Sequence, residues 1–242
     1  MQIIKTLTSA TVLFLGNLAP AFAQDMGHDM AKEHGGAIHH MFRVETDYGF
    51  GKESGVASWH LDGWIGTDEN KLWLKSEGAR SDGTTEDAEF WAMYSRNIST
   101  FWDAQFGIRY DAKPDTTGYA VIGINGLAPY WFETQAHLFI SEEGDVSARF
   151  RQENDFLITQ RLIIEPYAEI NLFAQDVPDR GIGAGISDGK IGLQTRYEIT
   201  RKFAPYVDVH YGRKFGETSS IAKDHGEDNN ELVGAIGLRL MF

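Results

Sequence analysis

The chain has 242 residues, and its 22 Lys and Arg against 35 Asp and Glu leave a formal charge of −13. That acidity excludes a nucleic-acid surface, which needs clustered Lys and Arg, and the absence of Cys excludes disulfides, thiolate metal sites, cysteine nucleophiles and a lipoprotein anchor. Twenty-six Gly and 12% aromatic residues beside a hydrophobic fraction of 42% do not suit a soluble helical enzyme; they suit many β-strands with one polar face.

Residues 1–23, MQIIKTLTSATVLFLGNLAPAFA, read as an export signal. Lys5 supplies the positive start, Ala10–Leu18 the apolar stretch, and Ala21-Phe22-Ala23 an A-x-A cleavage site. The run is too short and interrupted to span a bilayer as a helix. Cleavage after Ala23 is expected. No later window offers the ~18 consecutive apolar residues of a membrane helix. The exported chain is therefore either soluble or a membrane β-barrel.

Residues 24–40 form the next unit, expected as a periplasmic segment, with the barrel over 41–242. From Met26 to Met41 the chain carries Met26, His28, Met30, His34, His39, His40 and Met41. Thioether sulfur suits Cu(I), and imidazole suits copper and several divalent ions. Without Cys, such a ligand set tolerates an oxidising compartment. Copper is the expected ion, as Cu(I), Cu(II) or both. A flexible linker that merely contains Met and His is the alternative.

From Met41 onward the pattern has period two. Phe42, Val44, Thr46, Tyr48 and Phe50 alternate with Arg43, Glu45, Asp47 and Gly49. Further alternating runs cover 102–111, 130–140, 162–172 and 231–242. Runs of ten or more residues exceed the usual soluble strand of about five or six. About ten residues tilted by ~40° cross the ~25 Å apolar band of an outer membrane. The sequence predicts an all-β fold, a transmembrane outer-membrane β-barrel of about twelve antiparallel strands. The spans are 41–51, 56–66, 70–77, 86–96, 100–111, 118–127, 130–140, 145–156, 161–172, 189–199, 203–213 and 230–242. Short connections alternate with generally longer ones at 78–85, 112–117, 173–188 and 214–229. That asymmetry predicts both termini in the periplasm. Some of Trp59, Trp64, Trp73, Trp91, Trp102 and Trp131 are expected in interfacial aromatic belts, and Phe242 ends the last strand.

On the polar faces His60 and Asp62 share one side of a strand, as do Glu133 with His137 and Asp208 with His210. Met93 and Met241 point inward by parity. His60, Met93, His137 and His210 form a second candidate set of copper ligands. The competing reading is a satisfied network, because lumens are filled by paired charges such as Arg109, Arg149, Arg196 and Arg239.

The sequence has no G-x-S-x-G, H-E-x-x-H, P-loop or dinucleotide fingerprint. Gly181-Ile182-Gly183-Ala184-Gly185 falls in an expected loop with no helix after it. Ser58 and His60, the pair a barrel hydrolase would need, are assigned to opposite faces. No enzyme activity is expected, although a general diffusion or structural barrel, and less so a lipid hydrolase, stay open as alternatives.

Several stretches are similar to the copper resistance protein B family. They are Asp62-Gly63-Trp64-Ile65-Gly66-Thr67-Asp68-Glu69-Asn70-Lys71-Leu72-Trp73-Leu74-Lys75, then Gly126-Leu127-Ala128-Pro129-Tyr130-Trp131-Phe132-Glu133 and Asp145-Val146-Ser147-Ala148-Arg149. Asn171-Leu172-Phe173-Ala174-Gln175-Asp176-Val177-Pro178 and Phe203-Ala204-Pro205-Tyr206-Val207 complete the likeness, which runs from Asp62 to Phe242. The resemblance implies an outer-membrane protein of copper tolerance in contact with membrane lipid. It also implies a periplasmic multicopper oxidase, copper resistance protein A, as partner. Many relatives carry long Met-rich extensions, whereas the extension here is short, with three Met and four His between Met26 and Met41.

Overall fold

The computed structural model describes residues 37–51 and 55–242. The expected signal and most of the Met/His segment lie outside the described residues. Thirteen strands follow one another: β1 His39–Phe50, β2 Gly55–Gly66, β3 Asn70–Ser81, β4 Thr84–Ser99, β5 Trp102–Lys113, β6 Thr117–Ala128 and β7 Phe132–Ser141. Then come β8 Val146–Glu153, β9 Phe156–Leu157, β10 Leu162–Phe173, β11 Gly185–Tyr197, β12 Phe203–Lys214 and β13 Asn230–Met241. The two-residue β9 pairs with Ile163 and Ile164 of β10, while β8 pairs with the stretch of β10 from Tyr167 onward. Those two are one stave interrupted at Asn154 and Asp155, so the barrel has twelve staves, as the alternation predicts.

Every stave is antiparallel to its neighbours, and β13 returns to β1 from Arg43↔Met241 to Phe50↔Gly234. Closure leaves the sheet no open edge, which an apolar medium demands. The outward residues are apolar and face no protein: Ile108 and Ile236 are each 63% exposed. The inward ones are charged and buried, among them Glu45, Asp62, Lys75, Asp111 and Arg239. This inside-out distribution fits a chain solvated by lipid hydrocarbon.

The connections depart from expectation in two ways. The predicted loop 78–85 is mostly strand, because β3 and β4 extend to a tight turn at Asp82 and Gly83, with φ of 48° and 82°. A short polar stretch can continue a strand once its neighbour is paired, which alternation alone does not reveal. Length asymmetry is carried chiefly by two connections, 174–184 and 215–229 at the end away from the chain termini. The second contains the helix α1, Gly216–Asp224. Trp73 and Trp91 are buried inside the barrel rather than placed in a belt. Trp131, in the turn after β6, is 70% exposed and edge-on to Phe101 at 6.2 Å.

Close strand packing inside the barrel needs Gly107. A Cβ there would lie 2.1 Å from the Ala92 carbonyl oxygen and 2.6 Å from Met93 Cα, both backbone atoms. In detergent the wild-type protein should show a β-type circular dichroism spectrum and a faster gel band unheated than boiled. Gly107→Val should weaken or abolish the fast band, at a cost of about 1–3 kcal/mol. A helical spectrum, or wild-type protein fully soluble without detergent, would refute the barrel.

Candidate functional site

Residues with the parity of Arg43, His60, Glu77 and Arg149 point inward, so strand pairing alone stacks charged side chains into one lumen. Toward the long connections the lumen opens into a vestibule of about 580 Å³. Eleven carboxylates and eight Lys and Arg line it, with His60 and His210. At the end of the chain termini the lumen is filled. Lys75 pairs with Asp62 at 2.9 Å and bonds Gln135, and Trp73 donates its indole N–H to Asp62 at 3.1 Å. Lys71 pairs with Asp103 at 2.6 Å, and Ser95 donates to the same carboxylate at 3.1 Å. Arg196 pairs with Glu165 and Asp155, while Arg239 joins Glu45 to Glu165 and Gln194.

One wall is aromatic. Trp73, Trp91, Met93, Tyr119, Val121 and Phe139 pack together, with Trp64 against them. The Arg109 guanidinium lies 5.1 Å from the Tyr119 and Phe139 rings and 5.5 Å from Trp91. It also reaches Asp111 at 2.6 Å and Glu89 at 2.7 Å. Cation–π contact and ion pairing together replace the hydration such a cation gives up on entering the lumen.

Against the aromatic wall lies an ion lattice, with the Arg149 guanidinium 5.6 Å from the Trp91 ring. Arg149 meets Glu89 at 2.7 Å, Arg43 meets Glu153 at 3.1 Å, and Arg151 meets Glu153 and Glu77 at 3.4 Å. Arg109, Arg149, Arg196 and Arg239 thus fill the lumen in pairs, as read from sequence. The acids that answer Arg149 and Arg239, chiefly Glu45, Glu89 and Glu165, were not singled out. Their inward parity was the available signal, although only Glu45 stands on a strand next to its arginine's; the others reach theirs across the lumen.

The candidate ligands fall as follows. Met26, His28, Met30 and His34 lie outside the described residues. His39 and His40 are exposed at the start of β1, paired with Gly66 and Ile65, and Met41 follows half-buried opposite Trp64. His60 is held between Glu45, 3.7 Å from Nδ1, and Glu77, 3.2 Å from Nε2. Met93 is fully buried in the aromatic wall. His137 is buried with Nε2 at 2.8 Å from Gln105, so it does not pair with Glu133. His210 places Nδ1 2.7 Å from Asp208. His60, Met93, His137 and His210 stand on β2, β4, β7 and β12 and are not brought together. Among the described residues no three His, Asp or Glu gather as a metal-holding group.

Ser58 and His60 both face the lumen, two residues apart on β2, contrary to the assignment to opposite faces. They still form no dyad: Ser58 donates to Asp47 at 3.0 Å, and both nitrogens of His60 face carboxylates.

The match to known proteins decides the family. A family model described as Copper resistance protein B precursor (CopB) matches residues 39–242. The chain belongs to the copper resistance protein B family. It is 38% identical to copper resistance protein B of Escherichia coli, over 92% of this chain and 75% of that protein. A copper resistance protein B homolog of Pseudomonas syringae pv. tomato is 36% identical, over 93% of this chain and 76% of that one. Among solved structures the NanC porin covers 81% of this chain and 98% of its own at TM-score 0.58 and 14% identity. The KdgM porin covers 83% and 99% at TM-score 0.54 and 10% identity. Those two share the barrel fold with this chain, and family membership gives it a role in copper resistance.

Within the barrel, Arg239 joins Glu45, across the closing seam on β1, to Glu165 on β10. Arg239→Ala should destabilise the barrel by about 3–5 kcal/mol, because Glu45 and Glu165 would be left buried without it. Arg239→Ala/Glu45→Ala should recover part of the loss, read from urea midpoints in detergent. Additive losses would show that the pair is not coupled.

Proposed function

We propose that this protein captures copper at its amino-terminal segment. Met26, His28, Met30, His34, His39, His40 and Met41 would bind the ion on the periplasmic side, at an outer membrane to which the barrel anchors them. The supporting observation is the position of His39 and His40, exposed at the rim where β1 begins in a chain of a copper resistance family. Residues 1–23 act as the export signal and 24–40 as the capture segment, with both termini periplasmic. Thioethers favour Cu(I), and imidazoles let the same segment hold Cu(II). The lumen set of His60, Met93, His137 and His210 is secondary in this reading, because His60 and His137 already engage ring nitrogens with other side chains.

The barrel sequesters copper or passes it on; it does not turn over a substrate. A general diffusion pore is disfavoured by the ion pairs that fill the lumen near the termini. A periplasmic multicopper oxidase, copper resistance protein A, is the proposed partner at the same end. No hydrolysis of phospholipid or lipopolysaccharide is expected, and turnover abolished by Ser58→Ala would overturn that.

The test replaces all seven segment ligands with Ala. The variant should keep its heat-modifiable mobility, lose the tightest copper site in titration of the refolded protein, and lower cellular copper tolerance. Imidazole must shed its proton to bind whereas a thioether does not titrate. Wild-type affinity for Cu(II) should therefore fall on acidification more than affinity for Cu(I). Unchanged stoichiometry and tolerance in the seven-residue variant would reject the segment as the capture site.

A further inference from the structure

Seven of the eleven vestibule carboxylates have an Arg guanidinium within 4 Å; Asp47, Asp87, Asp188 and Asp208 have none among the described residues. Asp188 lies at the rim, where it pairs in register with Lys214 and accepts from Asn171. Asp47 and Asp208 sit deeper. Asp47 accepts from Ser58 at 3.0 Å and from the Tyr206 hydroxyl at 2.9 Å. Asp208 accepts from Tyr167 at 3.2 Å and lies 2.7 Å from His210 Nδ1, all through one oxygen. Its other oxygen, Oδ1, is buried with no partner, although Asp208 is only 7% exposed and lines the vestibule.

The two carboxylates are held in place by an unusual fit. Tyr167 lies over Gly192 and Tyr206 over Gly237, where a Cβ would come within 2.3 Å of each ring. Each tyrosine thereby reaches across a neighbouring stave to its acid. Between Asp47 and Asp208 runs β13, whose residues in register are Gly237 and Ala235, so no cationic side chain stands between them. Lys190, the nearest Lys in register on β11, faces Glu169 on β10.

We propose that Asp47 and Asp208 bind a hydrated divalent cation of the Mg²⁺ type through its water shell. The backbones carrying them are two staves apart, about 10 Å at the usual strand spacing. That span suits an ion wearing its waters better than direct chelation, and Mg²⁺ gives up its waters reluctantly. The hydroxyls of Ser58, Tyr206 and Tyr167 fix the carboxylates without cancelling their charge, and the free Oδ1 of Asp208 is an acceptor that a coordinated water would satisfy. The site takes its cation whether or not the amino-terminal segment binds copper.

The probe is cobalt(III) hexaammine, whose inert ligands allow only outer-sphere binding, titrated into the full chain in detergent in competition with Mg²⁺. Wild type should bind it and release it to Mg²⁺, and Asp47→Asn/Asp208→Asn should bind it about tenfold or more weakly. Asp188→Asn removes one charge from the same vestibule and should change little. The seven-residue segment variant should bind as wild type does. Heat-modifiable mobility checks folding, and if the double variant fails to fold, Asp208→Asn alone must still weaken binding. No binding by wild type, unchanged binding in the Asp47/Asp208 variants, or an equal loss in Asp188→Asn would each overturn the proposal.

Discussion

The pairing of β13 with β1 is the constraint on which the rest depends. In hydrocarbon every unpaired backbone N–H or C=O costs several kcal/mol, so the sheet has no tolerable edge. The ladder from Arg43↔Met241 to Phe50↔Gly234 removes that edge, and Phe42 and Phe242 exchange backbone bonds of 3.3 and 3.0 Å at its end. Closure at twelve staves fixes the width of the interior. Once that width is fixed, alternate side chains must point into it whatever their charge. The polar face that a soluble sandwich would show to water becomes this protein's core.

A core made of charge has its own rule. Each ion that leaves water must recover its hydration energy from partners, or the fold loses several kcal/mol. The lumen follows this rule by sharing. Glu165 serves both Arg196 and Arg239, Glu153 serves both Arg43 and Arg151, and Glu89 serves both Arg109 and Arg149. Such sharing ties β1, β4, β5, β8, β10, β11 and β13 together across the interior, at right angles to the backbone ladder. The aromatic wall adds to this: Arg109 is held by Asp111 and Glu89 and also lies against the faces of Tyr119, Phe139 and Trp91.

Alternation made the barrel legible in the sequence, and the family likeness rests on motifs that fall in its staves and turns. Strand ends were less legible. Nothing in Gly78–Thr85 signals that it continues β3 and β4, because pairing with a neighbour decides that. The helix α1 carries only a weak apolar face, and Thr218 ties it to the connection before β11 by accepting the Gly183 N–H at 3.0 Å. Parity correctly placed His60, His137 and His210 in the lumen but was silent on height and partner. Only the register shows that His137 meets Gln105 while His210 meets Asp208. The same counting was misapplied to Ser58, which shares its face with His60.

Sharing a fold with porins does not make this lumen a pore, because the fold sets the wall while side chains set what passes. A conducting barrel keeps a column of water from mouth to mouth. Here that column would have to run past Lys71–Asp103 near the terminal rim and through Lys75–Asp62 and Arg239–Glu45, which are buried. Opening it means separating several buried ion pairs at once, and each separation costs a few kcal/mol before water enters. The vestibule, by contrast, already holds solvent-sized space on the opposite side of that barrier. On the two proposals made above, a cation entering from the mouth would meet Asp47 and Asp208, and one at the terminal rim would meet His39 and His40. The filled lumen thus separates the vestibule from the terminal rim, and the two ends of the barrel present different side chains to what reaches them.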